Sequence, residues 1–206
     1  MVRLARRFRS EQTGVTLVEG LISLPIMMIA LIALVELGWG LFQWGQAAKA
    51  VQYGARMLAV SDPLLADLDT FSGDFGGLIE GDPVPSTVVS VSCGGGTTPC
   101  VTAGMNRLVY GGDGVCAGAT GTARIGMCDL MPRIAPENVR VTYTRDGLGY
   151  VGRPSGPILS IRVELVNLSF TFLLLGSLFG ANTLVFPPHP VIITSEDMSS
   201  CRDECS

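Results

Sequence analysis

Histidine is nearly absent from this sequence. The one copy, His189, stands among prolines in Pro187-Pro188-His189-Pro190. The residues before Pro188 and Pro190 are biased toward extended backbone, so His189 reads as a surface residue rather than a base or metal ligand. Charge is also scarce, at 16% Asp, Glu, Lys and Arg, against about a quarter in an ordinary soluble domain. Several catalytic patterns are missing: there is no GxSxG, no HExxH, and no pair of carboxylates at a catalytic spacing. Cysteines occur, but neither as CxxC pairs nor beside histidine, the arrangements zinc prefers. Gly94-Gly95-Gly96 lacks the Lys-Ser/Thr that a phosphate loop requires. Asp62, Asp67, Asp69 and Asp74 lack the spacing and terminal glutamate of a calcium loop and read as solvated loop acids. The chain is expected to be no enzyme and to need no cofactor or metal.

The charge that is present is unevenly placed. Residues 1–14 hold Arg3, Arg6, Arg7 and Arg9 against Glu11, a balance of +3; the whole chain carries −4, so the remainder carries −7. An acidic body argues against nucleic acid as a partner, because phosphate binding needs clustered cations. A basic leader before an apolar segment instead sets topology, since excess Lys/Arg stays on the cytoplasmic side. The next residues, 15–35, are apolar over about 21 positions. That is enough to cross roughly 30 Å of hydrocarbon at 1.5 Å per residue. Pro25 lies inside this run, where a membrane helix tolerates it. A cleaved secretory signal would have a shorter apolar region ending in small residues. Glu19 sits near the start of the run and Glu36 just past its end. A carboxylate in hydrocarbon costs about 3 kcal/mol, which marks Glu19 for function, the alternative being solvation at headgroup depth. Glu36 reads as interfacial.

A heptad stripe continues the helix: Leu37, Leu41, Trp44, Ala48, Val51, Ala55 and Leu58, spaced alternately four and three. It suits either a helix covering its own domain or one packing on neighbouring subunits. Ser61-Asp62-Pro63 ends it. Short strands are expected over 88–92, 139–145, 158–170 and 191–194, and a short helix over 171–179. Within 158–170 the alternation slips once at Val166, the signature of a β-bulge. Residues 165–186 are apolar enough to suggest a second span. Polar Asn167, Ser169, Thr171 and Asn182 and the strand-like period argue against one. Residues 93–128 are glycine- and threonine-rich and need covalent staples to be ordered.

All six cysteines, Cys93, Cys100, Cys116, Cys128, Cys201 and Cys205, follow the anchor. In an exported domain they read as disulfides. Local closure would join Cys93 to Cys100, Cys116 to Cys128 and Cys201 to Cys205; free thiols are the alternative. The expected fold is α+β: a basic leader over 1–14, a transmembrane and amphipathic helix over 15–60, and a small antiparallel-sheet periplasmic domain over 61–206.

Gly14-Val15-Thr16-Leu17-Val18-Glu19 resembles the processing motif of type IV prepilins. The arginine-rich leader, Leu24-Pro25, Val35-Glu36-Leu37-Gly38 and Tyr53-Gly54-Ala55-Arg56 extend the likeness toward TadE-like pseudopilins of the tight-adherence (Tad/Flp) pilus, over residues 6–60. The resemblance implies cleavage by prepilin peptidase between Gly14 and Val15, through an extended backbone that glycine permits. It also implies that Glu19, fifth in the mature chain, pairs with a neighbour's terminal amine during assembly, with Glu36 a second candidate assembly residue. The implied partners are the lipid bilayer, the peptidase, other pilin subunits and the Tad assembly machinery. The implied location is a single-pass inner-membrane site, N-terminus cytoplasmic, with the pilus or cell surface as a destination. The competing reading is an uncleaved, signal-anchored periplasmic binding module.

Overall fold

The computed structural model describes residues 13–116, 123–154, 156–172, 176, 183–185 and 189–195. Two compact units divide the chain: Met1–Phe42 with Phe170–Leu184, and Gln43–Ser169 with Val185–Ser206. The architecture is α+β, a long N-terminal helix followed by a small antiparallel sheet.

Helix α1 runs over Thr13–Ala59 with Pro25 inside it. Its lower part exposes large apolar side chains, among them Leu17, Leu21, Leu24, Met27, Leu31 and Leu34. Its upper part reverses that pattern. Ala47, Ala50, Val51, Ala55, Leu58 and Ala59 are buried, the i, i+3, i+4 recurrence of a helix seated on a core. The heptad stripe therefore changes role along its length. Leu37 and Leu41 stay 60% and 61% exposed, while Val51, Ala55 and Leu58 are buried in the chain's own domain. Gly54 belongs to the buried face: a Cβ there would meet Met127 Sδ at 2.6 Å. Here a small residue admits a side chain of the same domain.

The sheet has the order β1-β2-β3-β6, with every neighbouring pair antiparallel. β1 is Val89–Gly94, β2 Val139–Arg145, β3 Ser160–Leu165 and β6 Val191–Thr194. Strict alternation in β2 buries Val139, Val141, Tyr143 and Arg145. In register with them, Val141 faces Val163 and Tyr143 faces Ile161. On the other face Ser90 meets Thr144 and Ser92 meets Thr142 through their hydroxyls, and Glu164 lies between Arg140 and Arg162. β4 (Ser169–Thr171) and β5 (Thr183–Val185) form a separate two-stranded ribbon.

The slip at Val166 is no bulge. β3 ends at Leu165, Asn167 takes a positive φ of 56°, and β4 begins a new pairing. Asn tolerates this left-handed turn better than most residues. The turn is held by Val166 N–H donating to Asn138 O at 2.8 Å and by Asn138 Nδ2 donating to Val166 O at 3.3 Å. The helix expected over 171–179 falls mainly outside the described residues.

The glycine-rich stretch contains a helix that its composition concealed. α2, Thr102–Tyr110, buries Met105, Leu108 and Val109 and packs beside the short α3, Met127–Leu130. Gly111 ends α2 at φ 76°, with its N–H bonded to Arg107 O. A Cβ there would lie 2.4 Å from Arg124 O, so this chain reversal requires glycine. Cys93 and Cys100 lie at disulfide distance, as do Cys116 and Cys128; Cys201 and Cys205 are outside the described residues. Closing the Cys93–Cys100 loop removes unfolded-state freedom worth about 2 kcal/mol. The double substitution C93S/C100S should lower stability by about that amount, read as an earlier thermal transition in the near-ultraviolet circular dichroism of the full chain in detergent.

Candidate functional site

The residues singled out in the sequence fall into two groups. The first lies on the lower part of α1. The Gly14-Val15 bond lies within helix α1, at the start of the described residues. The bond was expected to be extended. Glu19 is exposed one turn further on. Its flanks are lipid-compatible: Leu17 is 70% and Val18 60% exposed. The helix from Leu17 is long and apolar enough to cross a membrane, and its most apolar window has no buried residue. Glu36 is different. It is only 3% exposed between Val35 and Leu37, which are 69% and 60% exposed. The two carboxylates are 17 positions apart, about 26 Å along an α-helix, and do not form one site.

The second group lies in the sheet domain, and the sequence reading missed its centre. Arg145 ends the apolar alternation of β2 and is fully buried. Its guanidinium forms a two-pronged ion pair with Asp74: Nη1 donates to Oδ1, and Nη2 donates to Oδ2 at 2.7 Å. It also donates to Phe71 O at 2.7 Å and Thr87 O at 3.0 Å, and lies 5.5 Å from the centroid of the Phe75 ring. One buried cation thus fastens two points of the α1–β1 connection to the end of a strand. Asp74 is not a free solvated acid as expected. Hydrogen bonding from Arg145 holds its carboxyl below the ordinary 3.8. The signal was present in the sequence, since Arg145 is in phase with Val139, Val141 and Tyr143. A charge in phase with a buried row demands a buried partner.

Nearby, Tyr143 Oη accepts the Leu64 N–H at 3.0 Å, and burial pushes its phenol up to about 12. His189 is exposed and packs against the Trp44 ring, with centroids 4.6 Å apart. Among the described residues no group of three or more His, Cys, Asp or Glu is placed to hold a metal ion.

Among the described residues one helix, near the N-terminus, is long and apolar enough to cross a membrane, which suggests a single-pass membrane protein. The helix narrows this further. Residues 14–56 match the family model described as TadE-like protein, a stretch that lies within residues 6–60, over which the sequence resemblance runs. The match covers the N-terminal helix segment alone, so it is this segment that is similar to TadE-like proteins. No curated protein and no solved structure matches the chain.

Arg145→Ala should destabilise the sheet domain by about 3 kcal/mol, since it empties a buried site and strands its acceptors. The Asp74 pair gives an acid limb. Its folded pKa is depressed, so its contribution is complete above the ordinary carboxylate value and fades as pH falls through the lower folded value. Thermal midpoints measured below about pH 4 should therefore drop in the native chain, and D74N should flatten that part of the profile.

Proposed function

We propose that this chain is a minor pseudopilin of a tight-adherence type IV pilus, cut by prepilin peptidase between Gly14 and Val15. The observation that carries the reading is Glu19: an exposed carboxylate on an apolar, lipid-compatible helix, within the TadE-like segment. In this reading residues 1–14 are a leader held in the cytoplasm by its arginines. The helix opens locally at Gly14 to present the bond, and cleavage creates a positively charged amine at Val15. Glu19 is then fifth in the mature chain, about 6 Å along the axis from that amine. A neighbouring subunit's amine offsets the cost of carrying the carboxylate into an apolar bundle.

The domain over 61–206 lies in the periplasm, where disulfides persist, and in the fibre it faces outward or caps the end. The inner membrane holds the unassembled subunit. The partners are the bilayer, the peptidase, other pilin or pseudopilin subunits and the Tad assembly machinery. The chain performs no chemistry of its own; it is the peptidase's substrate.

Mass spectrometry of the protein from cells with and without the peptidase tests the reading. Residues 1–14 should be missing only where the peptidase is present. A full-length N-terminus in both strains would sink it and leave the uncleaved binding module. Gly14→Val should block processing. Glu19→Ala should leave processing intact and reduce piliation, and normal pili with that variant would remove the pairing role.

A further inference from the structure

The lipid-facing surface of α1 does not stop where the apolar run stops. Beyond Val35 the exposed residues are Leu37, Trp39, Leu41 and Phe42, 47–61% exposed. The Trp39 and Phe42 rings stack with centroids 5.7 Å apart. From Gly20 to Ala48 the only charged residue is Glu36. That residue is withdrawn from the surface, at 3% exposure, and holds an interaction within the protein. A carboxylate at a water boundary would be expected to reach for solvent, as interfacial charges do. Glu36 does the opposite, while its two chain neighbours stay outside. This is the arrangement expected of a charge below the membrane surface, since intramembrane carboxylates turn toward protein.

Length agrees. Glu19 to Trp39 is 20 positions, about 30 Å along the helix axis, which equals the hydrocarbon thickness. Tryptophan concentrates at the two faces of a bilayer.

We infer that the bilayer is registered on α1 with Glu19 at the cytoplasmic headgroups, Trp39 and Phe42 at the opposite headgroups, and Glu36 inside the hydrocarbon but covered by protein. The occupant of the exposed Leu37, Trp39, Leu41 and Phe42 surface is lipid, continuous with the span below it. This register is about four residues, or 6 Å, further along the chain than an apolar run over 15–35 implies. It places the Gly14-Val15 bond about 7 Å on the cytoplasmic side of the boundary, within reach of an enzyme at the membrane face. It also keeps the Glu19 carboxylate in water until the helix moves outward. The inference rests only on the membrane-spanning part of the proposed function, not on cleavage.

The two tryptophans make the test direct. The full-length protein in phosphatidylcholine vesicles, with lipids brominated at a shallow or a deep acyl position, reports Trp39 depth in W44F. The same signal follows from wild type minus W39F, which leaves Trp44 in place. Trp39 should lie about 15 Å from the bilayer centre with blue-shifted emission, and Trp44, five residues further along, should be the one quenched by iodide. Iodide quenching of Trp39 as strong as that of Trp44, or a Trp39 depth beyond about 20 Å or near the centre, would overturn the register. Loss of the leader is read separately by mass, so failure of processing would leave this measurement unchanged.

Discussion

The fold depends on one helix meeting two solvents. Lipid offers no hydrogen bonds, so a spanning segment must satisfy its backbone internally. α1 stays helical from Thr13 to Ala59, forgoing the bond to Leu21 O that Pro25 cannot donate. The same helix must then enter a protein core, where side-chain bulk rather than polarity is limiting. The composition follows: large branched and aliphatic residues face outward in the lower part, and alanines with Gly54 line the buried face above. Carboxylates are the exceptions, and they obey the same rule in opposite ways. Glu19 is exposed, while Glu36 is folded inward.

The sheet domain is fastened by a different kind of interaction. Four short strands supply a limited apolar layer, and the loops around them are rich in glycine. Arg145 compensates by donating to Asp74 and to two loop carbonyls from a fully buried position. Buried ion pairs seldom add net stability over apolar packing. This one supplies direction, because a planar guanidinium accepts few arrangements of its acceptors. It fixes loops that have too little apolar surface to fix themselves.

Most of the architecture was legible because it follows from period and hydropathy. The spanning helix, β2 with its alternating face, and the returning strand Val191–Thr194 are all local patterns. α2 was not legible: Thr102 to Tyr110 contains Gly104 and Asn106, and its apolar residues number too few to outweigh a glycine-rich setting. The turn at Asn167 imitated a bulge because a phase slip records only that register is lost, not whether the strand continues. Asp74 was misjudged because its partner is 71 residues away. At the N-terminal site the residues could be read, but the burial of Glu36 could not, since sequence hydropathy assigns a carboxylate no direction.

The two disulfides of the sheet domain share an asymmetry. Cys93 and Cys128 are fully buried, whereas Cys100 and Cys116 are partly exposed. Thiol exchange requires a nucleophile to reach one sulfur and expel the other. An incoming thiol can therefore approach only the outer half of each bridge. The group expelled is the inner thiolate, which the core holds beside the bond it has just left. Reclosure has its nucleophile already in position, so each bridge tends to repair itself after attack instead of exchanging partners.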